Sequence, residues 1–223
     1  MQARYAIVVA GGQGLRMGTD IPKQFLLLGG RPVLMHTLEQ FAGCEQITLA
    51  LPEGQIDYWH ELCRQHDFGL EHRICLGGAT RFHSVQNALQ TLQGKSGCVA
   101  VHDGVRPFVH KSVIDACFAE AERSGAALPY IAVTDSLRQL TTTSSKAVPR
   151  SEFVAVQTPQ VFDLGRLITA YRQDFSPTFT DDASVYEAAR LGEIALVEGN
   201  VENIKITSPQ DLATAEYILG KQL

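Results

Sequence analysis

The chain has 223 residues, 45% of them hydrophobic, enough for one large core and short for two independent domains of ordinary size, so a single domain over residues 1–223 is expected. A formal net charge of -5 argues against a nucleic-acid-coating surface, which needs a basic stripe, so any anionic substrate must be held by local charge. Five cysteines, Cys44, Cys63, Cys75, Cys98 and Cys117, form an odd set without Cys-x-x-Cys or zinc-type spacing; the N-terminal apolar run lacks the pattern of a signal peptide and nothing approaches the ~20 apolar residues of a membrane span, so a soluble, cytoplasmic chain that meets neither membrane nor nucleic acid is expected.

Residues 5–10, 46–51, 72–76, 98–102 and 126–133 are β-rich runs that read as strands, with amphipathic stretches between most of them. Segments 33–41, 56–66 and 81–92 carry apolar residues at three-to-four spacing and fill the first three intervals as helices. The alternation predicts an α/β fold, a Rossmann-like, mostly parallel sheet flanked by helices with right-handed crossovers. After Val133 the pattern breaks into short strand-like pieces at 136–140, 146–149 and 153–157 around a Thr/Ser cluster, which predicts a projecting β-hairpin arm at about 135–157. Helical period returns at 164–172 and 181–191, residues 194–198 and 203–207 read as strands, and Ser208-Pro209 starts a last helix through Leu219.

The densest chemical signal follows the first strand, where Ala10-Gly11-Gly12-Gln13-Gly14-Leu15-Arg16-Met17-Gly18 lets backbone N–H groups approach a phosphate or base. Met17 stands where the dinucleotide fingerprint wants glycine, and the Gly-Lys-Ser/Thr ending of a P-loop is absent. A tight strand-to-loop turn explains such glycines equally well; the cations Arg16 and Lys23, the latter in Pro22-Lys23-Gln24-Phe25, point instead to a triphosphate. A second glycine pair opens Gly77-Gly78-Ala79-Thr80-Arg81-Phe82-His83-Ser84 at the end of the third strand, with Thr80 near an N-cap and Ser84 placed to donate to a base edge. Ligands of open parallel sheets collect at these carboxyl ends.

Val101-His102-Asp103-Gly104-Val105-Arg106-Pro107 leaves the fourth strand at the same edge. Asp103 offers the hard oxygen that Mg²⁺ takes from a protein before completing its shell with phosphate and water. Adjacent strand residues point to opposite faces, so His102 reads as a core or supporting group and not as half of a catalytic dyad. Thr180-Asp181-Asp182-Ala183-Ser184 starts a helix with Thr180 as a credible N-cap, and capping alone accounts for it. In Asn203-Ile204-Lys205-Ile206-Thr207, alternation puts Lys205 opposite its two isoleucines, facing either the cleft or water.

Taken in order, these motifs resemble the 2-C-methyl-D-erythritol 4-phosphate cytidylyltransferase family of the non-mevalonate isoprenoid pathway, through Ala-Gly-Gly-x-Gly-x-Arg-Met-Gly, Pro-Lys-Gln-Phe, Gly-Gly-x-x-Arg-x-x-Ser-Val, His-Asp-x-x-Arg-Pro, Thr-Pro-Gln, Thr-Asp-Asp-Ala-Ser and Asn-Ile-Lys-Ile-Thr. The resemblance implies that Ala10, Gly11, Gly12, Gly78 and Ser84 hold the cytidine of CTP and that Gly14 lies in the triphosphate loop. By the same likeness Arg16, Lys23 and Lys205 face the reacting phosphates, and Asp103 sits at Mg²⁺. The phosphate of a polyol phosphate then attacks the α-phosphorus directly and pyrophosphate leaves, with no enzyme nucleophile. Arg106, Asp135, Ser136, Arg150, Thr158, Thr180 and Asp181 are implied for the second substrate, with both subunits of a homodimer contributing through the arm. An arm carrying apolar Leu137, Leu140 and Val148 would be a poor monomer surface, which agrees with a covered arm. Two departures stand out: Ser136 where threonine is common, and Gly104-Val105 where Ala-Ala is frequent, which implies altered packing. Ribitol-5-phosphate cytidylyltransferases share nearly all the nucleotide motifs; Thr180-Asp181-Asp182-Ala183-Ser184 favours methylerythritol phosphate. A non-catalytic nucleotide-binding module would be free to lose Arg16, Lys23 or Asp103, and this chain keeps all three.

Overall fold

A computed structural model describes residues 2–11 and 21–222. Its main sheet is built on β1 (Arg4–Val9), β4 (Gln46–Leu51), β5 (Arg73–Leu76), β6 (Cys98–Asp103) and β7 (Ala126–Ala132), joined by β10 (Val154–Val156), β11 (Gln160–Asp163) and β12 (Ala195–Glu198). The first strands lie in the order β5-β4-β1-β6, all parallel, after which β11 runs antiparallel between β6 and β7. Strand β12 pairs β7 in parallel. Two small pairs stand apart, β2 (Leu27–Leu28) with β3 (Arg31–Pro32) and β8 (Leu137–Leu140) with β9 (Ser145–Val148). The helices are α1 (Val33–Glu39), α2 (Ile56–Gln65), α3 (Arg81–Gln90), α4 (Lys111–Ser124), α5 (Leu164–Ala170), α6 (Asp182–Ala188) and α7 (Pro209–Gln222). None among the described residues is long and apolar enough to cross a membrane.

The unbroken apolar runs of β1 and β6 follow from burial on both faces. Tyr5 and Ile7 pack on one side with α3 and α5, while Ala6 and Val8 pack on the other with α1, α2 and α4; in β6, Val99 and Val101 divide from Cys98 and Ala100 in the same way. A third cluster, with Leu28, Val33, Val105, Phe108, Ile206 and Ala215, seats α7 and the loop after β6.

Three expectations need correction. Residues 153–157 do not belong to the arm: β10 pairs with β7 in the main sheet, so the projecting hairpin is β8–β9 alone, closed by Thr141 N–H to the Ser144 carbonyl at 2.9 Å. Lys205 is exposed between half-buried Ile204 and buried Ile206, as anticipated, but residues 203–207 form no strand; Ile206 N–H bonds the Val105 carbonyl, and the Arg106 side chain takes the Asn203 carbonyl. Finally, the α6 N-cap is Asp181 and not Thr180: its carboxylate accepts from Ser184 N–H while Ser184 Oγ accepts from the Asp181 N–H, a reciprocal capping box. Gly104 also has a packing reason, since a Cβ there would lie 2.9 Å from Ala10 Cβ and 3.1 Å from Leu34 Cδ1. The departure from Ala-Ala is compact packing of the turn after β6 against the end of β1 and α1.

Candidate active site

At the carboxyl ends of β1, β5 and β6 a cleft of about 280 Å³ is lined by Ala10, Gly11, Lys23, Gly78, Ser84, Asp103 and Lys205, together with Val9, Gln24, Ala79, Thr80, Arg81 and Val105. Every described residue expected around the nucleotide or its reacting phosphates therefore lines one cavity. Gly12, Gly14 and Arg16 lie outside the described residues.

The backbone sets the cleft walls. Thr80 caps α3 by accepting from His83 N–H, and Ser84 Oγ donates to the Thr80 carbonyl while accepting from Gly78 N–H at 3.0 Å. Its proton is thus directed to the turn, not to a base edge, and Ser84 shapes the loop that lines the cleft. Gly78 is required by close approach: a Cβ would stand 2.8 Å from the His83 backbone carbon and closer still to its Cβ. Lys23, also in the lining, opens a 3₁₀ turn, residues 23–25, whose next two residues are buried. Gln24 Nε2 donates to the Ala10 carbonyl at 2.9 Å and to Gln55 Oε1 at 2.7 Å, and Phe25 packs between Trp59 and Tyr58.

Asp103 is the electrostatic centre. Its Oδ2 accepts from Lys205 Nζ at 3.0 Å and Arg106 Nε at 3.2 Å, and Arg81 Nε stands 3.6 Å from Oδ1. Burial alone would push the carboxyl up; Arg81, Lys205 and Arg106 outweigh it and hold the group well below the usual carboxylate range. Arg81 is fixed from behind by Asp182 Oδ2 at 2.6 Å, and the Tyr171 hydroxyl donates to the other Asp182 oxygen at 2.6 Å.

Beneath this carboxylate runs a chain of buried hydrogen bonds. Asp103 N–H donates to Thr158 Oγ1 at 3.2 Å, Thr158 Oγ1 lies 3.0 Å from His102 Nδ1, and His102 Nε2 lies 3.0 Å from the Arg106 carbonyl. The carbonyl only accepts, so Nε2 carries the proton and Nδ1 accepts from Thr158. Burial, then the positive charges of Arg106 and Arg81, bring His102 down to about 4 against the opposing pull of the Arg106 carbonyl and Asp103. His102 is a neutral support, as its place on the strand implied. A base whose folded value is depressed stabilises the fold above its unfolded value near 6.5, and that stability is lost as pH falls from there towards 4. The expected loss is about 3 kcal/mol, or roughly 6–12 °C in melting temperature. Calorimetry of the protein and of His102→Gln at pH 7 and pH 4.5 checks it; an equally steep fall in the variant would remove His102 as the cause.

The residues implied for a second substrate are less gathered. Arg106 and Thr158 are spent on Asp103, and Asp181 uses both carboxylate oxygens on Ser184 N–H and Gln160 Nε2. Thr180 is exposed just before α6. Asp135, Ser136 and Arg150 are exposed around the arm, outside the lining of this chain's cleft, with Arg150 bonded to the Thr134 carbonyl. Sequence reasoning assigned no role to Arg81, Asp182 or Gln24. The available signal was Arg81 itself: a cation in the first turn of a helix is disfavoured by the dipole and calls for an anionic partner.

A cleft of cations and backbone N–H groups, organised about one ionised carboxylate at the switch edge of a parallel sheet, suits attack of one phosphate on another without an enzyme nucleophile. The class this defines is nucleotidyltransferase. A family model described as 2-C-methyl-D-erythritol 4-phosphate cytidylyltransferase (IspD) matches residues 5–221. The chain is 53% identical over 219 residues to the Bacteroides fragilis protein of that name, covering 97% of this chain and 99% of the relative. It is 54% identical over 219 residues to that of Porphyromonas gingivalis, covering 98% of each. The crystal structure of the Thermus thermophilus 2-C-methyl-D-erythritol 4-phosphate cytidylyltransferase superposes with a TM-score of 0.79 at 33% identity, over 99% of this chain and 100% of that one. The 4-diphosphocytidyl-2C-methyl-D-erythritol synthase of Anaerococcus prevotii superposes with a TM-score of 0.84 at 26% identity, over 98% and 96%. The chain belongs to the 2-C-methyl-D-erythritol 4-phosphate cytidylyltransferase family.

Proposed function

We propose that this cleft joins CTP to 2-C-methyl-D-erythritol 4-phosphate, releasing pyrophosphate and giving 4-diphosphocytidyl-2-C-methyl-D-erythritol, in the cytoplasm. The observation that carries the reading is the convergence of Lys23, Lys205 and Asp103 with the glycine turns at Gly11 and Gly78 on a single cavity. The turns at Ala10–Gly11 and Gly78–Ser84 receive the cytidine. Lys23 and Lys205 neutralise charge that builds on the α-phosphate as the polyol phosphate attacks, which is where positioning and electrostatics supply the rate. No described side chain is asked to form a covalent bond.

Mg²⁺ fits the donor set. Among the described residues no cluster of three or more His, Cys, Asp or Glu side chains is present, but Asp103 is ionised and its Oδ1 accepts no hydrogen bond from them. One such oxygen suffices for an ion that takes the rest of its shell from phosphates and water, and the ion would neutralise the triphosphate and orient it. For the second substrate, Thr180 of one subunit would work with Asp135, Ser136 and Arg150 brought by the arm of a homodimer, while Arg106, Thr158 and Asp181, whose polar atoms are already paired, would support the site through Asp103 and the α6 cap. Leu140, 82% exposed at the arm's end, and the exposed Phe153, Val154 and Val156 that follow the arm in the chain are the apolar surface such an arrangement would cover.

The test is pyrophosphate release from CTP and Mg²⁺, with methylerythritol 4-phosphate and ribitol 5-phosphate in parallel. Release is expected only with the first. Release only with ribitol 5-phosphate would overturn the polyol assignment, and release with neither would leave a nucleotide-binding module.

A further inference from the structure

Asp182 is an acid that capping does not need. Asp181 is the N-cap of α6, yet Asp182 beside it is wholly buried, with one oxygen held by Arg81 Nη2 and the other by the Tyr171 hydroxyl, both at 2.6 Å. Burying a carboxylate costs stability unless its pairing is good, and here the pairing is directed at a residue that lines the cleft.

Arg81 would otherwise have a simpler partner. Its Nε stands 3.6 Å from Asp103 Oδ1, beyond hydrogen-bond distance, and that oxygen accepts no hydrogen bond from the described residues. Guanidinium and carboxylate left to themselves close into a two-bond fork. Only a short movement separates Arg81 from that fork, and the bond to Asp182 opposes it.

We propose that Asp182, oriented by Tyr171, is a positioning residue that holds Arg81 off Asp103 and so keeps Asp103 Oδ1 open for the divalent cation of the bound nucleotide. The proposal rests on the reading of Asp103 as the metal ligand. It gives the Thr180–Ser184 segment a role toward the nucleotide side of the cleft, because α6 sets Arg81 and Arg81 sets the access to Asp103.

Mn²⁺ binding, followed by electron paramagnetic resonance on the enzyme with CTP and no polyol phosphate, tests it without turnover. Asp182→Asn is expected to weaken Mn²⁺ binding about tenfold, the cost of competing with a charge-assisted hydrogen bond. Asp182→Glu, which keeps the anchor, and Asp182→Asn combined with Arg81→Gln, which removes the competitor, are both expected to bind within about twofold of the unaltered protein. Unchanged binding in Asp182→Asn, or weakened binding that the double variant does not recover, overturns the proposal. If Asp182→Asn does not fold, Tyr171→Phe loosens the same anchor and is expected to weaken Mn²⁺ binding about twofold to threefold, with no change counting against it. Asp103→Asn separates the two levels. Loss of Mn²⁺ there, with Asp182→Asn unaffected, leaves the metal assignment standing and sinks the positioning role; retention of Mn²⁺ in Asp103→Asn sinks both.

Discussion

Asp103→Asn is expected to lower kcat for pyrophosphate release by about 10³-fold or more while leaving the KM for CTP unchanged or lower. The asymmetry comes from charge. A triphosphate is repelled by a carboxylate, and removing Asp103 leaves Lys205, Arg106 and Arg81, now 3.0 to 3.6 Å from its oxygens, as uncompensated cations facing the nucleotide. Ground-state attraction rises, but the cations lose the anion that fixes their positions and the cleft loses its hard oxygen. The variant should also be less stable by about 3 kcal/mol, because breaking a buried ionic cluster on one side leaves the other unpaired. With its carboxyl held well below the usual range, Asp103 contributes stability that is present above the ordinary aspartate value and is lost only as pH falls through the lowered folded value. Titration of Asp103 therefore imposes no acid limb on activity near neutral pH. Steady-state kinetics with CTP varied, alongside thermal melts, separate these effects; a variant with raised KM and intact kcat would show that Asp103 only binds.

Much of this site is legible in the sequence because its parts are local. Glycine pairs after β1 and β5 and the Asp103 loop after β6 follow strands whose apolar runs are plain, and parallel topology then brings three distant segments to one edge. The placement of β10 and β11 is not local. Three or four residues each, they join the sheet through tertiary pairing with β7 and β6, and the Thr/Ser-rich hairpin before them gives no sign of where the arm ends. Lys205 shows the same limit. Alternation gives its face, while the segment's hydrogen bonds go to Val105 and Arg106 and not to a neighbouring strand. Asp181 and Asp182 look interchangeable as first-turn acids; only burial distinguishes the cap from the partner of Arg81. Thr158 likewise reads as a substrate hydroxyl until its proton is seen to be committed to His102.

Lys23→Ala separates chemistry from architecture most cleanly. Gln24 and Phe25 hold the backbone of the 3₁₀ turn through the Ala10 carbonyl, Gln55 and the Trp59–Tyr58 packing, none of which uses the lysine side chain. The turn should survive the substitution, with a melting temperature within about 3 °C of the unaltered protein, as for a change outside the core of a chain of this size. Turnover should not survive. A preorganised cation beside developing phosphate charge is worth about 10²–10³ in kcat, and its loss is felt more in the transition state than in the bound ground state. Lys23→Arg should recover little, since a planar fork does not reproduce a compact ammonium on so short a turn. Pyrophosphate release at saturating substrates is the measurement. Retention of more than about a tenth of kcat in Lys23→Ala would move the charge-neutralising role from Lys23 to Lys205.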